Sequence, residues 1–323
     1  MLLAGDVGGT KTMLGLYERA DRRPVPVATR TYLTNTYASF TAILEEFAAE
    51  IGTPFAIEAA ALGVAGPVIN NRARLTNIVW DIDAAEVTTM FGTTRVGLLN
   101  DLEAMANSVE VLTGDEIAVL QEGVPRADGN AAVIAAGTGL GQALLHRVGG
   151  RLLPLATEAG HADLAARTDR EIELVRMLRK LYGRAEVEHV LSGRGLLNLH
   201  RFTHRGGQCE LVDLADPNAP ARVSQAALGG RCQGCSEALR MFTAIFGAEA
   251  GNLALRSMAT SGLFIGGGIA PKVLPALRTG IFLEAFLAKP PMIELLARIP
   301  VSVILNTEAG LLGAAVHAQD ISK

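Results

Sequence analysis

The stretch "GDVGGTKT", residues 5–12, follows the apolar residues "MLLA" and is itself followed by "MLGLY". Apolar runs on both sides of a glycine turn predict two strands joined as a β-hairpin. Glycine lets the backbone approach a ligand closely, and successive N–H groups at such a turn form an anion-binding concavity. The stretch therefore predicts a phosphate-binding hairpin, although an ordinary glycine turn gives the same pattern.

Two nucleotide-binding patterns of other folds do not match. A P-loop has glycine directly before its Lys-Ser/Thr pair, where this chain has Thr10. A second glycine turn, "AAGTGLG" at 135–141, departs from the dinucleotide fingerprint at Gln142. The chain thus holds two glycine hairpins about one domain apart, which indicates a duplicated fold whose halves hold one phosphate chain from opposite sides.

Composition limits the class of protein and its partners. The 323 residues are 49% apolar and 5% aromatic, which is typical of soluble α/β proteins with two domains. A net charge of -4 without a basic cluster argues against nucleic acid, and the apolar runs are too short to span a membrane. The 3 cysteines, and a glycine turn too early to leave room for a signal peptide, predict a cytoplasmic protein.

Strand-like and helical stretches alternate along the chain. Strands are predicted over 24–33, 56–66, 94–100 and 301–306, and helices over 39–52, 101–112, most of 169–259 and 309–318. A strand, a triple-glycine turn and a helix are predicted over 262–277, and a polar surface loop over 205–223. We expect the last helix to return to the first domain. The predicted boundaries are a small α/β domain of 1–111 plus 302–323 and a large α/β domain of 112–301.

Motifs in a fixed order along nearly the whole chain resemble those of the bacterial glucokinase family, in the hexokinase–actin–sugar kinase superfamily. They are "GDVGGTKT", "LTNIVWDI" (75–82), "LLNDLEAMA" (98–106), "AAGTGLG", "EAGHAD" (158–163), "EHVLSGRGLLNL" (188–199), "GNLAL" (251–255), "FIGGGIAPK" (264–272) and "GLLGAAVH" (310–317). The resemblance implies an α/β, two-domain actin-like ATPase (ribonuclease H-like) fold with an interdomain active-site cleft. It also implies a homodimer that uses ATP and Mg²⁺ to phosphorylate D-glucose on its 6-hydroxyl.

The resemblance assigns the glycine turns to ATP. The implied ATP-binding residues are Asp6, Val7, Gly8, Gly9, Thr10, Lys11, Gly137, Thr138, Gly139, Gly266, Gly267 and Gly268. Asp6 would hold Mg²⁺ through water, because Mg²⁺ usually keeps several of its waters. An alternative for the three glycines at 266–268 is close packing between a strand and a helix.

Asp101 is the candidate general base. It follows a predicted strand and begins a predicted helix, so a helix N-cap is the alternative role. The family motif favours the base, with Asn100 hydrogen-bonded to a neighbouring sugar hydroxyl. The implied substrate-binding residues are Asn77, Asn100, Asp101, Glu158, His161 and Glu188. Carboxylates suit vicinal hydroxyls because each can accept two hydrogen bonds. Trp80 is expected in the core.

Two metal-ligand patterns occur. Glu158 and His161 have a ligand spacing but lack identifiable further ligands. His200, His204, Cys232 and Cys235 could together form a zinc site. The repressor branch of the superfamily carries a C-x-C-G-x-x-G-C zinc motif that this chain lacks, so we expect no stoichiometric zinc and an unpaired, inert Cys209.

Three other functions remain as alternatives. The same fold could phosphorylate mannose, fructose or an N-acetylated hexosamine, because selectivity depends on pocket shape. A sugar-sensing transcriptional regulator would carry a helix-turn-helix before the first glycine turn, where only four residues stand. An actin-like filament protein would share the hairpins but has no need of Asn100–Asp101 together with Glu158, His161 and Glu188.

Overall fold

The computed structural model describes residues 1–52, 56–75, 78, 80–205, 207 and 209–323. Asn77, a predicted sugar ligand, lies outside the described residues. Within the described ranges, every helix is too short or too polar to cross a lipid bilayer. The chain divides into two compact units, Met1–Thr113 with Asn306–Lys323, and Gly114–Leu305. We call them unit 1 and unit 2.

The strands, in chain order, are β1 (Leu2–Val7), β2 (Lys11–Glu18), β3 (Val25–Leu33), β4 (Ala59–Val64), β5 (Val68–Ile69), β6 (Arg72–Arg74), β7 (Asp81–Asp83), β8 (Val96–Asn100), β9 (Ile117–Gln121), β10 (Ala131–Ala136), β11 (Leu140–Val148), β12 (Arg151–Thr157), β13 (Gly262–Gly266) and β14 (Val301–Ile304). The helices are α1 (Phe40–Ile51), α2 (Ala84–Phe91), α3 (Asp101–Ser108), α4 (Asp169–Tyr182), α5 (Gly193–Thr203), α6 (Ala219–Leu228), α7 (Gln233–Ser257), α8 (Leu274–Leu277), α9 (Ile281–Leu287), α10 (Ile293–Ala297) and α11 (Ala309–Ile321).

The main sheet of unit 1 has the strand order β3-β2-β1-β4-β8. β1 and β2 form the predicted hairpin, and β1 pairs in parallel with β4 as β4 does with β8. Alternate residues of β1 enter different cores: Leu3 packs with the buried face of α1, and Leu2 packs with Leu311 of α11. A strand covered on both faces is apolar along most of its length, which is why "MLLA" precedes the glycine turn.

The sheet of unit 2 repeats this order as β12-β11-β10-β13-β14, with β9 added at the β14 edge. The second glycine hairpin joins β10 and β11, and β10 pairs in parallel with β13 as β1 does with β4. The predicted duplication is therefore confirmed at the level of topology. α7 is largely buried in the unit 2 core, where Phe242 and Phe246 are inaccessible to solvent.

Helices α3 and α11 of unit 1 pack together through a glycine. A Cβ added at Gly313 of α11 would lie 1.7 Å from the carbonyl oxygen of Ala104 in α3. This approach requires glycine, since any side chain there would move one of the two helices. The last helix thus returns to the first unit, as predicted.

Some local predictions differ from the structure. Residues 205–223 were expected to form a loop, but α6 begins at Ala219, where the proline at 220 occupies an early helical position. The predicted boundary at 302 cuts through β14, which pairs with β13 and β9 in unit 2. The small sheet β5-β6-β7 was not predicted because strands of two or three residues are too short to show a period.

Candidate active site

The first glycine turn, residues 8–10, connects β1 to β2 and is held in place by Thr34. The N–H of Gly8 donates to the Lys11 carbonyl at 3.0 Å. The Thr34 hydroxyl donates to the carbonyl of Gly8 at 2.8 Å, and its N–H donates to the carbonyl of Thr10 at 3.0 Å. Because the Thr34 proton is used in this way, the buried hydroxyl of Thr12 donates to Thr34 Oγ1 at 2.9 Å. The sequence carried no signal for Thr34, which lies twenty-odd residues beyond the turn.

Asp6 is the penultimate residue of β1 and lies against the first turn of α11. A Cβ at Gly310 would come within 2.8 Å of Asp6 Oδ2, so glycine is needed there. Burial, followed by the charge of Asp101, raises the pKa of Asp6 to about 6, and Lys11 opposes this rise. The carboxylates of Asp6 and Asp101 repel each other, and Lys11 opposes this effect. A bound cation would reduce the repulsion further.

Asn100 and Asp101 lie where β8 ends and α3 begins. Asn100 is the N-cap: its Oδ1 accepts from the N–H of Leu102 at 3.0 Å, and its Nδ2 donates to the Gly66 carbonyl at 3.3 Å. Asp101 is the first helical residue and is exposed. Asn100 therefore holds the N-cap position that was the alternative for Asp101, while Asp101 Oδ1 also accepts from the N–H of Leu102, at 2.8 Å. The carboxyl ends of β1, β4 and β8 share one edge of the sheet, the edge at which ligands bind in open α/β sheets.

The second glycine turn, in unit 2, rests on Glu188. The Glu188 carboxylate accepts from the N–H of Leu140 at 2.9 Å. A Cβ at Gly139 would lie 2.6 Å from Glu188 Oε2, so the turn and the carboxylate are in direct contact. The N–H of Gly193, at the start of α5, donates to the carbonyl of Gly137 at 2.9 Å. The structure thus brings a predicted sugar ligand and a predicted phosphate turn together.

Glu158 precedes a 3₁₀ turn that follows β12, and His161 is the last residue of that turn. The turn is tied to the rest of unit 2 because the N–H of Glu188 donates to the Gly160 carbonyl at 2.9 Å. His161 Nδ1 lies 2.9 Å from Glu186 Oε2. This hydrogen bond, with further contributions from Glu188, Glu186 and Glu158, raises the pKa of His161 despite an opposing desolvation. Glu186 is a further candidate site residue, which the sequence did not point to although it lies two positions from Glu188.

The triple-glycine turn, residues 266–268, begins at the carboxyl end of β13. Gly267 has φ +83°, and a Cβ there would lie 2.3 Å from the Ala136 carbonyl oxygen. The N–H of Ile269 also donates to that carbonyl at 3.1 Å. Because Ala136 ends β10, the triple-glycine turn and the second glycine hairpin lie at the same edge of the unit 2 sheet. Gly268 has open space where a side chain would stand.

Two residues singled out in the sequence, Trp80 and Cys209, lie outside the candidate site. Trp80 is 9% exposed and belongs to the unit 1 core, as expected. Cys209, predicted to be unpaired, is a free cysteine whose sulfur lies 3.8 Å from that of Cys232 and 4.0 Å from that of Cys235. The contact is made because the residues after α5 lead back to the start of α7.

Comparison with known proteins shows what the chain is similar to. A family model described as Glucokinase matches residues 3–321. The chain belongs to the glucokinase family. A glucokinase of Synechocystis sp. is 36% identical, covering 98% of this chain and 97% of that protein. The crystal structure of a glucokinase from an Antarctic psychrotroph matches with a TM-score of 0.88 at 30% identity, covering 99% of this chain and 98% of that one.

The fold extends beyond the glucokinase family. A ROK family glucokinase from Streptomyces griseus, solved in complex with glucose and AMPPNP, has a TM-score of 0.64 at 21% identity and covers 99% of both chains. The resemblance of the sequence motifs to glucokinases and the predicted actin-like fold class are confirmed by these matches.

Proposed function

We propose that this protein is an ATP-dependent glucokinase, which transfers the γ-phosphoryl group of ATP to the 6-hydroxyl of D-glucose and releases ADP. The observation that carries the proposal is the family match over residues 3–321. The local structure supports it, because each unit presents a glycine hairpin at the carboxyl edge of its sheet together with carboxylates suited to a sugar.

Phosphoryl transfer depends mainly on positioning and on stabilising the charge of the phosphates. The turn at residues 8–10 and the turn at 137–139 would offer backbone N–H groups and the hydroxyls of Thr10 and Thr138 to phosphate oxygens. The triple-glycine turn would accommodate adenosine, because Gly268 leaves the backbone uncovered. Hydrogen bonds from Thr34 fix the turn at residues 8–10, and a hydrogen bond to Glu188 fixes the turn at 137–139. Both turns would therefore lose little conformational entropy when ATP binds.

Asp101 would act as the general base. As the 6-oxygen of glucose attacks the γ-phosphorus, its proton passes to the Asp101 carboxylate, and the bond between that phosphorus and the β,γ-bridging oxygen breaks. The bridging oxygen keeps the electron pair and leaves as part of ADP. Asp101 suits this role because it is exposed directly after β8, and because Asn100 rather than Asp101 occupies the N-cap position of α3.

Asp6 would hold Mg²⁺ through water. The fit rests on the carboxylate itself, whose pKa is raised to about 6 by burial and by the neighbouring Asp101, so a cation there would offset the repulsion. When bound, Mg²⁺ would neutralise charge on the triphosphate.

Glucose would be held by Asn100 and Asp101 of unit 1 and by Glu158, His161 and Glu188 of unit 2, with Asn77 as a further ligand. Glu188 has one oxygen committed to the N–H of Leu140, which leaves the other for a sugar hydroxyl. His161 is oriented by Glu186, so its Nε2 is available to a second hydroxyl.

A coupled kinase assay over a panel of hexoses and phosphoryl donors tests the proposal. Glucose with Mg-ATP should give a higher kcat/KM than mannose, fructose or N-acetylglucosamine, and ATP should exceed ADP and polyphosphate as donor. Faster turnover of fructose or N-acetylglucosamine would contradict the glucose assignment while leaving a sugar kinase in place.

Quaternary structure and compartment are part of the same proposal. The family resemblance supports a homodimer, to be checked by light scattering coupled to gel filtration. A cytoplasmic location is supported by Cys209, Cys232 and Cys235, which approach one another as free thiols and so suit a reducing compartment.

A further inference from the structure

A cluster of imidazoles and thiols lies in unit 2 where α5 ends and α7 begins. His200 is in the last turn of α5, His204 follows that helix, Cys209 lies in the loop beyond it, and Cys235 is in the first turn of α7. One ligand atom from each of these four residues lies within 4.8 Å of those of the other three. The phosphoryl-transfer chemistry proposed above uses none of them.

Within the described ranges, His200 is buried without the hydrogen bonds that a core histidine normally makes. Its side chain is 2% exposed, and among the described residues neither ring nitrogen has a hydrogen-bond partner. Buried polar groups in native proteins are nearly always paired, because an unpaired one loses its hydration without compensation. The ring stacks on His204 with centroids 3.9 Å apart, which places it at the cluster.

His204 is oriented as a metal-binding imidazole. Its Nδ1 lies 2.8 Å from the carbonyl oxygen of His200, so that nitrogen carries the proton and donates it. Nε2 is then unprotonated and can donate its lone pair to a metal; in this structure it is hydrogen-bonded to the sulfur of Cys232 at 3.2 Å. A histidine whose other nitrogen donates to a backbone carbonyl is the usual arrangement of a metal ligand.

Gly234 lets His204 reach this position. A Cβ there would lie 2.6 Å from Cε1 and 2.7 Å from Nε2 of the His204 ring. Gly234 lies between Cys232 and Cys235 and faces the imidazole, so this position requires a residue without a side chain.

We propose that this cluster binds one Zn²⁺ per chain through His200, His204, Cys209 and Cys235. Tetrahedral zinc with bonds of about 2.0–2.3 Å places its ligand atoms about 3.3–3.8 Å from one another. The sulfurs of Cys209 and Cys235 are 4.0 Å apart, so small movements close the site. Two imidazoles and two thiolates are a donor set that selects zinc over magnesium or calcium.

The zinc would act as a structural clamp. It would join the end of α5 to the start of α7 and fix the loop that carries Cys209. The start of α5 contacts the second glycine turn through Gly193, so the clamp would secure a helix that supports the candidate ATP site. The expectation of a zinc-free chain rested on the missing cysteine motif, and here the ligands come from separate parts of the fold.

Elemental analysis tests the site directly. Wild-type protein purified with a thiol reductant should retain one zinc per chain after gel filtration, and chelation should lower its thermal midpoint. Co²⁺ added to the stripped protein should give thiolate-to-cobalt charge-transfer absorption. Cys209→Ser and Cys235→Ser should each lose the stoichiometric metal. Because Cys209 lies in a loop, Cys209→Ser should stay folded by circular dichroism.

Cys232→Ser is the matched control. Cys232 caps α7 by accepting from the N–H of Cys235, and serine can do the same, so this variant should keep its zinc. Reduced wild-type protein that binds neither zinc nor cobalt would overturn the proposal. So would a metal-free protein with a disulfide from Cys209 to Cys232 or Cys235, or loss of zinc in Cys232→Ser.

Discussion

Asn100 and Asp101 are adjacent, and the structure divides the start of α3 between them, with Asn100 at the N-cap and Asp101 at the first helical position. Asn100 caps α3 with its side-chain oxygen, while Asp101 is exposed in the first turn of the helix. The division matters for mutagenesis, because a change at Asp101 leaves the capping hydrogen bond of Asn100 in place.

Asp101→Asn should lower kcat by about 10²–10⁴ with little change in glucose affinity, since an amide keeps the shape of the carboxylate but cannot accept the proton. Steady-state kinetics and glucose binding by calorimetry would measure both. Near-normal kcat in a folded Asp101→Asn protein would rule Asp101 out as the base. Glu158→Gln is the comparison, because a sugar ligand should affect KM at least as much as kcat.

His161 and Glu186 should titrate as a linked pair. The hydrogen bond from Glu186 raises the pKa of His161 above its ordinary value of 6.5, and the same bond lowers the pKa of Glu186. The stability contributed by protonated His161 is therefore fully present below pH 6.5 and is lost as pH rises through its folded pKa. Glu186→Gln should move the His161 pKa downward in an NMR titration, assigned with His161→Gln. An unchanged His161 pKa would contradict the pairing.

At the scale of secondary-structure elements, the first hairpin depends on a residue outside it. Thr34 bonds two carbonyls of the turn region and accepts from Thr12, which is fully buried. The turn is therefore ordered before any phosphate reaches it.

Thr34→Val should raise the KM for ATP and reduce stability by about 1–3 kcal/mol, because the Thr12 hydroxyl would remain buried without its partner. ATP titrations and urea unfolding would measure the two effects. Thr36→Val is the matched control: Thr36 lies in the same 3₁₀ turn and its hydroxyl bonds the exposed Leu33 carbonyl instead. Equal KM values for both variants would show that the turn does not need Thr34.

The contact between α3 and α11 should be intolerant of a methyl group. Glycine to alanine normally stabilises a helix interior by about 1 kcal/mol. Gly313→Ala should do the opposite and should also lower kcat, since the new Cβ would displace α3, which carries Asp101. Gly114→Ala, where the added Cβ meets open space, is the control. Wild-type thermal midpoint and kcat in Gly313→Ala would contradict this packing.

At the scale of the whole chain, the two ends belong to one unit. α11 packs Leu311, Ala314 and Ala315 against the sheet of unit 1, and the Gln319 side chain accepts from the N–H of Ala20 at 3.0 Å. Unit 1 is therefore completed only when the last residues are present.

A chain that stops at Asn306 should fail to form a stable unit 1, because one apolar face of its sheet would be exposed to water. Thermal unfolding and limited proteolysis would reveal the loss. A chain that stops at Ser322 should behave as wild type, since Lys323 is exposed and its side chain pairs only with Asp320 among the interactions described. Unchanged protease resistance in the shorter chain would show that unit 1 folds without α11.

Local signals in the sequence determined much of the architecture. The glycine turns between apolar runs identified both hairpins, and the helix predicted over 39–52 is α1, with Ser39 as its N-cap and Gly52 as its left-handed C-cap. These predictions succeed because turns and caps depend on residues within a few positions of each other. The order of the motifs also indicated the family.

The tertiary structure alone decided which distant side chains meet. Thr34 bonds the first glycine turn, and Glu186 is hydrogen-bonded to His161. Gly313 allows close packing against α3, and Cys209 lies beside His200. Unit 2 likewise includes β14 because that strand pairs with β13 and β9. Such contacts leave no period or spacing in the chain, because they arise from the packing of whole elements, whose paths bring residues far apart in sequence to one place.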